Sequence, residues 1–287
     1  MNLKKPTTYN QQVTLLQNRN IEVLDTNDCI SFLSKVNYYR FSAYYLPFLD
    51  RQTDKCFIGT TFERLKQIYY FDQELRALIF GIIEDIEIHV RTEISYYHVH
   101  KYGADGYTYS QNYNKKHNHA AFMAHVSSCI KENDKTLVVK HHMAKYGGKF
   151  PLWVISEFFS VGMLSHFYRG LTTQDKIAIA KNLYQTTPEC LESWLRCLTD
   201  LRNKCAHYSR LYYWIFPALP KMPPMENYIP TRRLFAQLYM LKLMYPDADK
   251  WNTYYVKELS HLIKKYSPYI SKKHLDFPYR WKSMLKK

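Results

Sequence analysis

The segment Leu201-Arg202-Asn203-Lys204-Cys205-Ala206-His207 gathers an arginine, an amide and a histidine at the end of a stretch with helical apolar spacing. Histidine ordinarily titrates near neutrality and can take or deliver the proton of a ribose hydroxyl, while a neighbouring guanidinium stabilises charge on a phosphate. That combination suits RNA cleavage in which the substrate's own 2′-hydroxyl is the nucleophile, a reaction that requires no metal. Residues five apart on a regular helix project about 140° from one another. Arg202 and His207 therefore share a cleft only if the helix end is distorted, the side chains reach around, or two copies of the helix face each other. An architectural reading stands beside the catalytic one: an arginine paired with a nearby carboxylate, and a histidine at a helix C-terminus. Arg91 and His98 have comparable spacing, but Arg91 follows Glu87 by one helical turn, where ordinary ion pairing explains it, and no Asn or Asp comes after it.

The element that must position Arg202 and His207 opens at Thr187-Pro188, a cap followed by a proline suited to the first helical turn. It turns Leu191, Trp194, Leu195, Leu198 and Leu201 toward a core, giving a motif helix over about residues 188–207. Upstream, short helices are expected over residues 8–18 and from Asp25, followed by an aromatic knot at Asn37-Tyr38-Tyr39-Arg40-Phe41. The longest helix is expected from a capping box of Thr60 and Glu63, along a stripe from Leu65 through Ile79 and Ile86 to Tyr97, ending at Gly103. On it Asp72, Arg76, Glu84, Glu87 and Arg91 recur at steps of three and four, as charge pairs do. Further helices are expected over residues 119–131 and 134–146, and as one continuous helix from Pro151 to Gly170. Five prolines between Pro217 and Pro230 mark an irregular connection, after which Thr231 is placed to cap a helix running to about Tyr245. The organisation read from this pattern is a helical body over 1–216 and a proline-rich connection with C-terminal helices over 217–287, packed on the same body.

With 46% hydrophobic residues in 287, the chain can bury a sizeable core. Only 8 Gly and few Val/Thr-rich alternating stretches point to an all-α protein. No apolar run is long enough to span a membrane, and the polar start from Met1 to Asn10 lacks the apolar segment of a secretory signal, so a cytoplasmic protein is expected. The six cysteines include no C-x-x-C pair, and the close histidine pairs, such as His117 and His119, lack acidic or thiol partners at ligand spacing. Neither a metal nor any other cofactor is expected. Lys+Arg of 40 against Asp+Glu of 25 leaves a charge of +15, which attracts polyanions. The 27 Tyr and 15 Phe add the flat rings on which single-stranded nucleic acid stacks. Gly-rich phosphate loops and His-Glu-x-x-His spacing are missing from the sequence, which argues against nucleotide and zinc hydrolysis.

The pattern Arg202-Asn203-x-x-x-His207 resembles the Arg, four to six residues, His signature of HEPN ribonucleases. The text around it is similar to abortive-infection (Abi) proteins of the AbiD/AbiF type. The passages that carry this likeness are Asn37-Tyr38-Tyr39-Arg40, Tyr70-Phe71-Asp72 with Leu75-Arg76, Ile83-Glu84-Asp85-Ile86-Glu87-Ile88 with Arg91-Thr92, Pro151-Leu152-Trp153-Val154 with Glu157, Gly162-Met163-Leu164-Ser165, Ser193-Trp194-Leu195, and the motif through Arg210. The resemblance implies a HEPN-like helical bundle with additional N- and C-terminal helices and a composite site across a homodimer. It also implies an endoribonuclease toxin acting in anti-phage defence, leaving 2′,3′-cyclic phosphate ends, with a small non-coding antitoxin RNA as a further partner. Carried over by position, Arg202 would stabilise the phosphate, His207 would act as general acid or base, and Asn203 would orient one of them. Lys204 and Arg210 would neighbour the RNA backbone, Glu157 could pair with Arg202, and Arg91 could support the site. Two other readings remain open at this point. One is a catalytically silent RNA-binding module; the other is an interaction protein that senses a phage component through Tyr208, Tyr212, Tyr213 and Trp214.

Overall fold

A computed structural model describes Leu3 and residues 5–287; Met1, Asn2 and Lys4, part of the polar start, lie outside the described residues. The fold is all-α, with a single two-residue hairpin of β1 (Leu49–Asp50) and β2 (Lys55–Cys56) among the described residues. Its helices in chain order are α1 (Tyr9–Asn18), α2 (Thr26–Lys35), α3 (Tyr38–Ser42), α4 (Phe62–Tyr102), α5 (His119–Glu132), α6 (Leu137–Tyr146), α7 (Leu152–Ile155), α8 (Val161–Gly170), α9 (Thr173–Tyr184), α10 (Pro188–Ala206), α11 (Leu234–Met244), α12 (Ala248–Lys250), α13 (Val256–Lys265) and α14 (Trp281–Leu285).

Helix α4 organises the rest. Its 41 residues span about 60 Å, and α7, α8, α9, α10, α11 and α13 all pack along it. One residue later than expected, Thr61 rather than Thr60 caps it, accepting from Arg64 N, while the Thr60 hydroxyl donates to Phe57 O at 2.7 Å. The aromatic knot contains a helical turn of its own, α3, because the Asn37 side chain accepts from Tyr39 N at 2.8 Å and starts it.

The helix expected from Pro151 to Gly170 is broken in two. After α7 and a 3-10 turn, Phe159 is extended, and the Ser160 hydroxyl caps α8 by accepting from Met163 N at 3.2 Å. Arg91 holds the break: its Nη2 donates to Phe159 O at 3.0 Å and its Nη1 to Glu157 O at 3.4 Å. A distant guanidinium supplying donors to carbonyls that a continuous helix would have satisfied leaves no trace in the local spacing.

Past the proline-rich connection, α11 carries apolar residues around its circumference and is buried from Leu234 to Leu241 and again at Met244. It starts without a side-chain cap, since the hydroxyl of Thr231, expected to cap it, donates instead to Asp276. The C-terminal helices share one core with the body. The Trp194 indole donates to Lys221 O at 2.7 Å and Arg64 Nε to Tyr269 O at 3.0 Å.

His98 is fully buried on α4 beside Tyr102, Tyr113 and Phe167, and neither ring nitrogen has a hydrogen-bond partner. Burial drives its pKa down to about 4. The unfolded chain takes up this proton near pH 6.5 and the folded chain only near pH 4, so stability from neutral burial is complete above pH 6.5 and lost as pH falls toward 4. The expected size of that loss is roughly 3 kcal/mol. Urea unfolding of the parent and of His98→Phe at intervals from pH 7 to 4.5 checks this: the substitution removes that share of the acid sensitivity, and parallel curves would contradict it.

Candidate active site at the end of the motif helix

Helix α10 starts as expected, with the Thr187 hydroxyl accepting from Cys190 N at 3.3 Å and Pro188 in its first turn. Leu191, Trp194, Leu195, Leu198, Leu201 and Cys205 bury one face, which leaves Arg196 and Asn203 exposed on the other. The helix ends in a Schellman turn. Tyr208 N donates to Cys205 O at 3.1 Å and Ser209 N to Lys204 O at 2.8 Å, with Tyr208 left-handed at φ +54°. His207 is the C-cap, exposed, with its N–H donating to Asn203 O at 2.9 Å. Tyr208 occupies the position that glycine takes without steric cost. Tyr208→Gly is therefore expected to keep the turn and raise stability by about 0.5–1 kcal/mol, to be read from urea midpoints.

What holds this turn comes from far away in the chain. The fully buried Asp72 of α4 accepts from Tyr212 N at 2.7 Å, Leu211 N at 3.1 Å, Tyr44 OH at 2.7 Å and Arg76 Nη1 at 2.5 Å. Arg76 also donates to Ser209 O at 3.3 Å, Arg40 donates to Tyr208 O, and Arg210 donates to Ala43 O. Several passages that carry the family likeness thus converge on one clamp that closes the motif helix against α3 and α4. Asp72 pairs with Arg76 as its spacing suggests, but its larger task was missed. The signal available was a carboxylate within the apolar stripe, between Ile68 and Leu75, where burial demands donors.

Arg202 is half-buried and its Nε, shielded from solvent, has no hydrogen-bond partner. Glu157, expected as a partner for Arg202, instead lies 3.6 Å from Arg91, because the break before α8 brings it onto α4. Arg91 is also bound by Glu87 at 2.5 Å, as their one-turn spacing implies. With Arg91 engaged and His98 sealed in the core, that second pair presents no reactive face. Lys204 and Arg210, expected beside an RNA backbone, are both half-buried. The Lys204 ammonium sits 3.4 Å from the Trp214 ring centroid, and burial pulls its pKa down, against the attraction of Asp200, with Arg210 adding to the fall. Of the aromatic segment, Tyr212 is buried and Tyr213 lies under Arg233, leaving Tyr208 as its most exposed member. Tyr39, 85% exposed, and Tyr208, 69% exposed, belong to the two segments that Arg40 joins.

The arrangement can present a free imidazole, an exposed amide and an under-bonded guanidinium at one helix end. Among the described residues, no group of three His, Cys, Asp or Glu is placed to hold a metal ion, and no helix is long and apolar enough to cross a membrane.

No curated protein and no solved structure matches the chain. The family model described as Abi-like protein matches residues 31–213, which takes in the clamp, α4 through α10 and the motif, and stops before the proline-rich connection. With well over half of its length matched, the chain belongs to the Abi-like protein family.

Proposed function

We propose that the chain is a HEPN-type endoribonuclease acting in abortive infection against phage, and that it cuts RNA in the cytoplasm without a metal ion. One observation carries this reading: an exposed His207 and an Arg202 with an unpartnered Nε stand on a single helix end that a buried carboxylate clamps in place. In the reaction, the 2′-oxygen forms a bond to the adjacent phosphorus and the bond from phosphorus to the 5′-oxygen breaks. A base takes the 2′-hydroxyl proton, an acid returns one to the leaving 5′-oxygen, and a 2′,3′-cyclic phosphate remains. His207 serves as base or acid, Arg202 neutralises the charge gathering on the phosphate, and Asn203 orients one of them.

His207 departs from helical dihedral angles at the C-cap, φ −93° and ψ 15°, but the helical residues through Ala206 set where it stands, so the pair retains the roughly 140° divergence of five helical steps. A homodimer that places the two motif helices face to face supplies the convergence one copy lacks. Within this reading Tyr39 and Tyr208 offer rings on which bases can stack beside the motif, and a small non-coding RNA is a natural silencer of the same surface.

The test is incubation of purified protein, stripped of nucleic acid and held in EDTA, with total RNA beside its His207→Ala form, followed by end-group analysis. Fragments with cyclic-phosphate ends from the parent alone are the expected result. Equal inactivity of both forms, with RNA binding retained, would leave an RNA-binding module instead.

A further inference from the structure

On a different face, α5, α8, the loop of residues 114–118 and the start of α9 enclose a groove of about 1250 Å³. Small-molecule sites measure about 300–1000 Å³, so this groove is large for one, and its lining suits a chain with repeating charge. Lys115, Lys116 and Arg169 are exposed along it. Of the two acidic residues there, Glu192 is bridged by Lys176 at 3.3 Å, which leaves Glu132 alone against the three cations.

The remaining polar lining is unusually rich in imidazole. His125 and His166 are exposed within the groove, and His117 stacks on Tyr113 with ring centroids 4.0 Å apart. Arg169 Nη2 lies 3.1 Å from His166 Nδ1. A guanidinium only donates, so Nδ1 accepts and the proton of the neutral ring sits on Nε2 as a further donor. Phe122 and Phe158 supply apolar floor between these groups. Cations spaced along a trough with flat rings between them are the elements that hold single-stranded nucleic acid, by phosphate contact and base stacking.

The groove also leads to the motif helix. Gly162 lines it, and a Cβ there would lie 3.4 Å from Thr199 Cγ2, one turn before Arg202 and Asn203; a larger residue would press on α10 at that point. Glu192, also on α10, stands at the groove ten residues before Arg202, about 15 Å along the helix axis.

We infer that this groove is a holding site for a single-stranded segment of RNA, separate from Arg202 and His207; the choice of RNA rests on the ribonuclease reading above. The probe is a fluorescent 20-nucleotide RNA with every 2′-oxygen methylated, which binds but cannot be cut, so the result does not depend on catalysis. Lys115→Ala/Lys116→Ala/Arg169→Ala is expected to weaken its binding by roughly 10- to 100-fold and to lower the salt slope by about 2, at some 0.7 for each phosphate that is no longer neutralised. Lys264→Ala/Lys282→Ala/Lys286→Ala, three exposed lysines of the C-terminal part, removes the same charge and is expected to change binding far less. Equal weakening by both triple variants, or none by the groove variant, overturns the inference and leaves only the general attraction of a +15 protein. Photocrosslinking of a 4-thiouridine version to the parent protein adds a readout free of substitutions. Adducts within residues 114–129 and 158–176 are expected, and adducts confined to other segments overturn the site. Failure of the cutting assay with the groove result intact would overturn the nuclease and keep the groove.

Discussion

His207→Ala and Arg202→Ala are each expected to lower the rate of RNA cleavage by about 10²–10⁴-fold, the range over which a positioned proton-transfer group or an oxyanion-stabilising donor acts. Because the proposed roles place both groups on one transition state, the double variant is expected to be little worse than the weaker single one. Arg202→Lys is expected to remain impaired: an ammonium keeps the charge but loses the planar fork of donors that spans two phosphate oxygens. His207 is exposed and the half-buried Arg202 has an unpartnered Nε, so these substitutions are expected to leave the helical circular dichroism and the urea midpoint nearly unchanged. Cleavage rates of the purified variants on one defined RNA decide the matter. Loss below about threefold at His207 would remove it from the chemistry. Mixing inactive Arg202→Ala with inactive His207→Ala protein tests the composite site directly: partial recovery is expected if each reacting phosphate takes groups from two copies, and none if it does not.

Asp72→Ala carries the largest expected effect on stability, a loss of about 3–5 kcal/mol. The carboxylate is fully buried and accepts from Arg76, Tyr44, Leu211 and Tyr212. Removing it strands the Arg76 cation in the core and leaves two backbone N–H groups and a hydroxyl without partners. Asp72→Asn keeps the volume but turns an amide donor toward groups that are themselves donors, so it is expected to recover only part of the loss. Urea unfolding at neutral pH reads these differences, and a change below about 1 kcal/mol for Asp72→Ala would mean that the clamp is not what holds the turn. The same substitution frees the segment that seats His207. Cleavage should therefore fall at temperatures where the variant is still folded, whereas His207→Ala is expected to lose activity with its stability intact. Measured together, the two separate a chemical role from a positioning one.

The clamp also shows which parts of this protein were legible without coordinates. Apolar spacing and caps are local properties, and they sufficed for the all-α class, for α4 ending at Gly103, and for a motif helix opening at Thr187-Pro188 with Arg202, Asn203 and His207 at its far end. What those residues are surrounded by was not local. The bond from Leu211 N to Asp72 joins positions 139 apart, and the contact of Arg210 with Ala43 joins positions 167 apart. No periodicity within a helix encodes such a meeting: the spacing of Asp72 showed its pairing with Arg76 but not the turn it holds, and nothing local to Arg210 showed its contact with Ala43. The same limit hid the break before α8, where Arg91 reaches across from α4 to take up Glu157 and Phe159 carbonyls, and with it the transfer of the Glu157 carboxylate from Arg202 to Arg91. By itself, then, the sequence determined the all-α class, the long and motif helices and the residue types at the candidate site. The tertiary structure decided which of those charges are free to act, because burial and long-range hydrogen bonding arise only when distant segments pack.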